Sequence, residues 1–183
     1  VQAIEPIKTL VDGEGTSLYG TTVTTSVASY VVLAAAIAVL GGIVFWAPKL
    51  FGRQLDESGA QVVALLLLLG TVLWSFPDVI SGLLGQPAAP RELAPDNVGR
   101  IDALNTVAAI GGAVLALALA GFVALLIRAG RSAELPGDDP WSGHTLEWAT
   151  SSPPPVGNFA SLPGISSEAP LYDARHRPDE GTA

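Results

Sequence analysis

Three long runs without a charged side chain, separated by short polar stretches, organise this chain. The first extends from Gly15 to Pro48. The second runs from Ser58 to Pro77 and, beyond the single Asp78, continues to Pro90, while the third covers Ala103 to Ile127. Each is at least as long as the roughly 20 residues that a helix needs to cross a hydrocarbon core at about 1.5 Å per residue. Crossing as helices satisfies every backbone N–H and C=O within the segment, which lipid cannot do. A buried helix of a soluble protein would carry a polar face, and Val62–Leu69 and Ala113–Ile127 offer none. The pattern predicts spans near residues 23–47, 59–85 and 103–128. The fold class is therefore an all-α membrane protein, with three transmembrane helices and an extended Pro-rich C-terminal tail. Its expected organisation is an N-terminal extracytoplasmic segment (1–20), a three-helix transmembrane domain (21–130) and a cytoplasmic tail (131–183).

The tail changes character from Gly130 onwards. Pro136, Pro140, Pro153, Pro154, Pro155, Pro163, Pro170 and Pro178 oppose regular helix, and Pro153–Pro155 predicts extended polyproline. Yet Trp141, Leu146, Trp148, Phe159, Leu162, Ile165, Leu171 and Tyr172 give it more apolar positions than a disordered linker uses. A tail laid in extended form over another protein surface accounts for both features.

Composition sharpens this picture. Of 183 residues, 49% are hydrophobic and 14% charged, against roughly 25% charged in soluble domains. The net charge of −8 lies mostly outside the apolar runs, and no basic stripe exists to track a nucleic acid. The chain has no cysteine, which excludes disulfides, covalent haem attachment, iron–sulfur clusters and thiolate copper sites. It has no methionine either, so Val1 is compatible with a start codon read literally, a processed end or the cut end of a longer protein. Glu5, Asp12 and Glu14 precede the first helix in place of a signal peptide's basic flank. Lys49 and Arg53 follow the first span, and Arg128 and Arg131 follow the third. Lys8, Arg91 and Arg100 lie on the other side. The first set hugs the helix ends more closely, and the positive-inside rule then puts the N-terminus outside and the C-terminus in the cytoplasm of a plasma (inner) membrane.

Within the helices the chemistry points to packing. Small residues recur at every fourth position as Ala108, Gly112, Ala116, Ala120 and Ala124, and as Ala34, Ala38 and Gly42. Two readings stay open, close helix association or the general abundance of Ala and Gly. Thr21, Thr22, Thr24, Thr25, Ser26 and Ser29 crowd the start of helix one, where hydroxyls bond back to carbonyls one turn earlier. Tyr19, Trp46, Phe51 and Trp74 read as interface or packing aromatics. Asp78 is the one ionisable group in an apolar run, which makes it a candidate for proton transfer. It follows Pro77 and precedes Gly82 and Gly85, so the alternative is an interfacial acid where the helix bends or ends. Asp102 and Asn105 fit first-turn positions of helix three.

One stretch carries a resemblance. Asp138-Asp139-Pro140-Trp141-Ser142-Gly143-His144-Thr145-Leu146-Glu147-Trp148-Ala149-Thr150-Ser151-Ser152-Pro153-Pro154-Pro155 resembles the run that follows the last transmembrane helix of subunit I in haem–copper terminal oxidases. Further matches occur in order. Phe45-Trp46-Ala47-Pro48-Lys49-Leu50-Phe51-Gly52-Arg53, with Leu55-Asp56-Glu57, is similar to the loop after that family's tenth helix. Phe76-Pro77 with Gly82-Leu83-Leu84-Gly85-Gln86-Pro87 resembles the eleventh helix and its exit. Asn105 with Ile110-Gly111 resembles the twelfth, and Leu162-Pro163 with Ser167-Glu168-Ala169-Pro170-Leu171-Tyr172-Asp173 resembles the closing tail. The resemblance covers residues 20 to 176, the last quarter to third of such a subunit, and implies a cytoplasmic tail.

The departures bear on chemistry. The family's tenth helix carries an H-x-H-Y element whose histidines ligate the two haem irons. Tyr30 matches its Tyr, but the ligand positions fall on Val27 and Ser29, or on Ser26 and Ala28 in the other register. The family's propionate-binding arginine pair is replaced by Ala88 and Ala89, with Arg91 further on. Copper ligands and proton-channel helices belong to upstream parts of the family that this chain does not contain. The expected site assignment is therefore no catalytic, haem or metal residue in this chain, with haem and copper in partner subunits. Asp78 is the possible proton-transfer residue. Trp141, Trp148, Leu146, Pro153, Pro154, Pro155, Phe51 and Arg53 are the expected partner contacts.

The resemblance implies a non-catalytic structural part of a respiratory-chain complex, a degenerate or split portion of subunit I that supports electron transport to oxygen and proton pumping during aerobic respiration. Its partners would be other oxidase subunits or a respiratory supercomplex, in a lipid bilayer, with no nucleic acid. Two alternatives stand beside it: a C-terminal fragment of a divergent catalytic cytochrome c or quinol oxidase subunit I, and a stand-alone membrane protein using Asp78. The form of the tail inclines the donor towards cytochrome c.

Overall fold

The computed structural model describes residues 18, 20–88, 98–132, 135–159 and 164–176. Among these residues the chain is all helical, with α1 (Thr22–Phe51), α2 (Glu57–Leu83), α3 (Val98–Arg131) and the short α4 (Pro170–His176). A 3-10 turn, Leu146–Ala149, lies between α3 and α4. Three helices, α1 to α3, are long and apolar enough to cross a membrane. They contain the expected spans, except that α2 ends two residues short of the predicted 85.

Helix ends follow local chemistry. α1 runs through Pro48 and stops where Gly52 takes φ +59° and its N–H bonds the Pro48 carbonyl. α2 opens on Glu57, an acid suited to the positive end of a helix dipole. It passes through Pro77, so the apolar run neither ends nor breaks there, and Asp78 sits more than a turn inside the helix. The stop comes at Gly85, φ +91°, with its N–H on the Gly82 carbonyl and the Gln86 N–H on that of Ser81. That pair of bonds is a Schellman closure. α3 begins at Val98, four residues earlier than Asp102, which removes Asp102 and Asn105 from the first turn.

The chain divides into two compact units, Val1–Val39 with Ser58–Val123, and Leu40–Glu57 with Ala124–Ala183. In the first, helices meet at glycines. A Cβ at Gly111 would lie 2.3 Å from the Trp74 nitrogen, and one at Gly82 would lie 2.5 Å from the Val23 nitrogen. Gly112 lies against the Trp74 ring, and Gly70 against Leu115. Close backbone approach of this kind is how helices associate without a hydrophobic driving force. The face used coincides with the expected stripe only at Ala108 and Gly112. Ile101, Leu104, Ala108, Gly111, Gly112, Leu115, Ala118 and Phe122 are among the covered or half-covered positions, whereas Ala116, Ala120 and Ala124 are exposed. Steps of four residues advance about 40° too far per step on a helix of 3.6 residues per turn. Alternating steps of three and four keep one face inward. On α1, Ala34 and Ala38 are likewise exposed. Exposed Val31, Val32, Leu65, Leu68, Leu117 and Val123 suit a hydrocarbon surround rather than water.

Candidate functional site

Along the start of α1, hydroxyls bond across to α2. Ser26, fully buried, donates to the Ser75 carbonyl at 2.6 Å. Thr22 Oγ1 donates to the Asp78 carbonyl at 2.8 Å and lies 3.2 Å from Ser81 Oγ. Ser29 instead bonds back to the Thr25 carbonyl on its own helix. These bonds belong to a packing seam. Asp78 takes part through its main-chain carbonyl, and the residue is half-buried.

In the second unit the tail closes on the end of α1. Lys49, 4% exposed, donates from Nζ to the Asp138 carbonyl at 2.9 Å and the Thr150 carbonyl at 2.7 Å, with the Ser151 carbonyl at 3.5 Å. Its ammonium also lies 5.2 Å from the centroid of the Trp148 ring. Phe45 packs edge-on to Trp46 and Trp148, while Trp46 and Trp148 stack at 5.8 Å. Trp141 stacks on Phe45 and donates its indole N–H to the Phe45 carbonyl. Arg53 donates to the Ser132 carbonyl. Asp138 Oδ1 accepts the Ser152 N–H, and Asp139 accepts the Gly143 N–H and pairs with Arg175 of α4. Pro153 covers Gly52, and the Ser152–Pro153 peptide is cis.

This geometry redistributes the expected contacts. Trp148 is 3% exposed, so this chain's own residues already cover its indole. Arg53 is spent on a main-chain carbonyl. Phe51, Pro153, Pro154 and Pro155 remain exposed, with Leu146 and Trp141 half-covered. Tyr19, Ala89, Arg91, Leu162 and Pro163 lie outside the described residues. Lys49 went unrecognised beyond its charge, because its acceptors are main-chain carbonyls 89 and 101 positions away. No local motif signals such a partner.

A family model described as cytochrome c and quinol oxidase polypeptide I matches residues 18–114, more than half of the chain. The chain belongs to that family. Among its relatives, a Streptomyces coelicolor protein carrying the name cytochrome c oxidase subunit 1-beta is 39% identical over 145 residues, covering 76% of this chain and 24% of the relative. Cytochrome c oxidase subunit 1 of Bacillus subtilis is 33% identical over 145 residues, covering 78% of this chain and 23% of the relative. That of Thermostichus vulcanus is 36% identical over 137 residues, with coverages of 74% and 24%. The chain thus spans about a quarter of the length of these relatives.

For a member of the oxidase polypeptide I family, the resemblance directs attention to α1 and haem. The four positions concerned are Ser26, bonded to α2; Val27 and Ala28, both exposed; and Ser29, bonded within its helix. None offers a nitrogen, sulfur or phenolate donor for axial ligation. The two histidines are in the tail. His144 meets the Tyr172 ring edge at 5.0 Å, and His176 stacks on its face at 3.9 Å. The side chains at these α1 positions do not fit a haem iron.

Proposed function

We propose that this chain is a non-catalytic structural part of a respiratory haem–copper oxidase, in which another chain or segment carries haem and copper. The observation that supports this reading is the contrast between two regions. The α1 positions that would ligate haem hold Val27 and Ser29, or Ser26 and Ala28, while the Lys49-centred closure of the tail is fully formed. Loss of donors with retention of the scaffold is the pattern expected of a segment whose remaining task is association. Exposed Phe51, Pro154 and Pro155 and half-covered Trp141 are the surface left to a partner. The relatives named as cytochrome c oxidases incline the donor of the whole complex towards cytochrome c.

Affinity isolation of the full-length tagged chain from native membranes tests this. It should bring down a haem-bearing oxidase chain identifiable by mass spectrometry, and the Soret absorption should stay with that partner once the two are separated. Co-purification of no oxidase chain would defeat the proposal. So would a Soret band that travels with the isolated chain and is lost on Ser29→Ala.

The orientation belongs to the same proposal, with the N-terminus outside and the tail cytoplasmic. Lys49 and Arg53 at the end of α1, and Arg128 and Arg131 at the end of α3, support it through the positive-inside rule. Val156 is fully exposed, and the chain has no competing cysteine. A Val156→Cys variant should resist an impermeant maleimide in intact cells and react after lysis. Labelling in intact cells would reverse the orientation.

A further inference from the structure

The last turn of α3 presents two cations beside an apolar groove. Arg128 and Arg131 are exposed and three residues apart, hence on one side of the helix. With Ala124, Ile127 and Ser132 they line an open groove of about 550 Å³. Neither guanidinium has an ion-pair partner among the described residues, where Arg175–Asp139 is the salt bridge present. Arg128 also borders a smaller, polar cavity whose lining includes the acids Asp56 and Glu57, so Arg131 is the freer of the two. Ile127 and Ala124 lie within a helix apolar enough to cross a bilayer, and the arginines end that helix. An apolar slot capped by two planar forks matches an acyl chain capped by a phosphate. Guanidinium groups bind phosphate oxygens in a paired, geometrically specific way.

We propose that this end of α3 holds one anionic phospholipid, its phosphate at Arg128 and Arg131 and an acyl chain along Ala124 and Ile127. The partner follows from charge complementarity and from the apolar lining, which a free phosphate would leave uncovered. Arginines near a lipid surface attract anionic headgroups. The two together should give a preference on the order of tenfold over a zwitterionic lipid.

Native mass spectrometry of the full chain in detergent measures this, with phosphatidylglycerol and phosphatidylcholine as probes. The unaltered chain should retain one phosphatidylglycerol about tenfold more strongly than phosphatidylcholine. Arg128→Gln with Arg131→Gln should abolish that preference. Arg100→Gln should keep it, because Arg100 lies near the opposite end of α3, about 40 Å away at 1.5 Å per residue. Inorganic phosphate should not displace the lipid. Equal retention of the two lipids by the unaltered chain overturns the proposal without recourse to any variant. So does a preference that survives the double substitution, falls equally with Arg100→Gln, or is competed away by inorganic phosphate.

Discussion

Replacing Lys49 with methionine should detach the tail from the end of α1 while leaving the three long helices inserted. The lysine stem lies in a nearly closed site, and its ammonium satisfies carbonyls of Asp138 and Thr150 at 2.9 and 2.7 Å. Hydrogen bonds to a charged group contribute about 1.5–3 kcal/mol each, and removing the donor also leaves covered carbonyls without a partner. Methionine keeps most of the apolar volume beside Trp148, so the lost donor dominates. A local destabilisation of about 3 kcal/mol corresponds to about a hundredfold faster hydrogen exchange at amides held by the closure. The Ser152 and Gly143 N–H groups, which donate to Asp138 and Asp139, are the reporters. Unchanged protection at both would mean that Lys49 does not hold the tail.

Adding a single methyl at Gly111 should separate α2 from α3. In an open helix position, Gly→Ala stabilises by up to about 1 kcal/mol. Gly41 is such a position, since a Cβ there would meet nothing within 4 Å. At Gly111 the same Cβ would sit 2.3 Å from the Trp74 nitrogen and 2.5 Å from the Leu73 carbonyl carbon. Those atoms are backbone and cannot rotate aside, so one helix must move and its neighbouring contacts go with it. Overpacking costs about 1–3 kcal/mol, and Gly111→Ala belongs at the upper end. Reversible unfolding of the full chain in bicelles should show Gly111→Ala destabilised and Gly41→Ala unchanged or slightly more stable. Equal stability of the two variants would contradict the close approach at Trp74.

The spans were legible in the sequence because lipid imposes a requirement that leaves a long, uncharged trace. The packing seam was not. Counting Ala and Gly at a four-residue interval selects a line that winds off the contact face, and the Ile101–Phe122 seam contains large residues as well as small ones. The family was readable from the Trp141–Pro155 run and the Phe45–Arg53 loop, whose contiguous side chains are specific in themselves. The role of Trp148 was harder to read. An apolar residue in a proline-rich tail looks the same whether it is destined for a partner or for its own chain. Only the three-dimensional return of the tail to Phe45, Trp46 and Lys49 separates the two.

The acceptors around Lys49 have a bearing on how this chain can change over time. A carbonyl oxygen is common to every residue type, so substitutions at Asp138, Thr150 or Ser151 leave an acceptor in place. The bonds from Lys49 are therefore indifferent to which side chains those positions carry. Selection on the tail's attachment falls on other features: Lys49 itself, the carboxylates of Asp138 and Asp139, the rings of Trp141 and Trp148, Gly52 in its left-handed turn under Pro153, and Gly143, where a Cβ would lie 2.2 Å from the Trp148 ring. Exposed side chains such as Pro154, Pro155 and Val156 are left free to diverge towards whatever surface they meet.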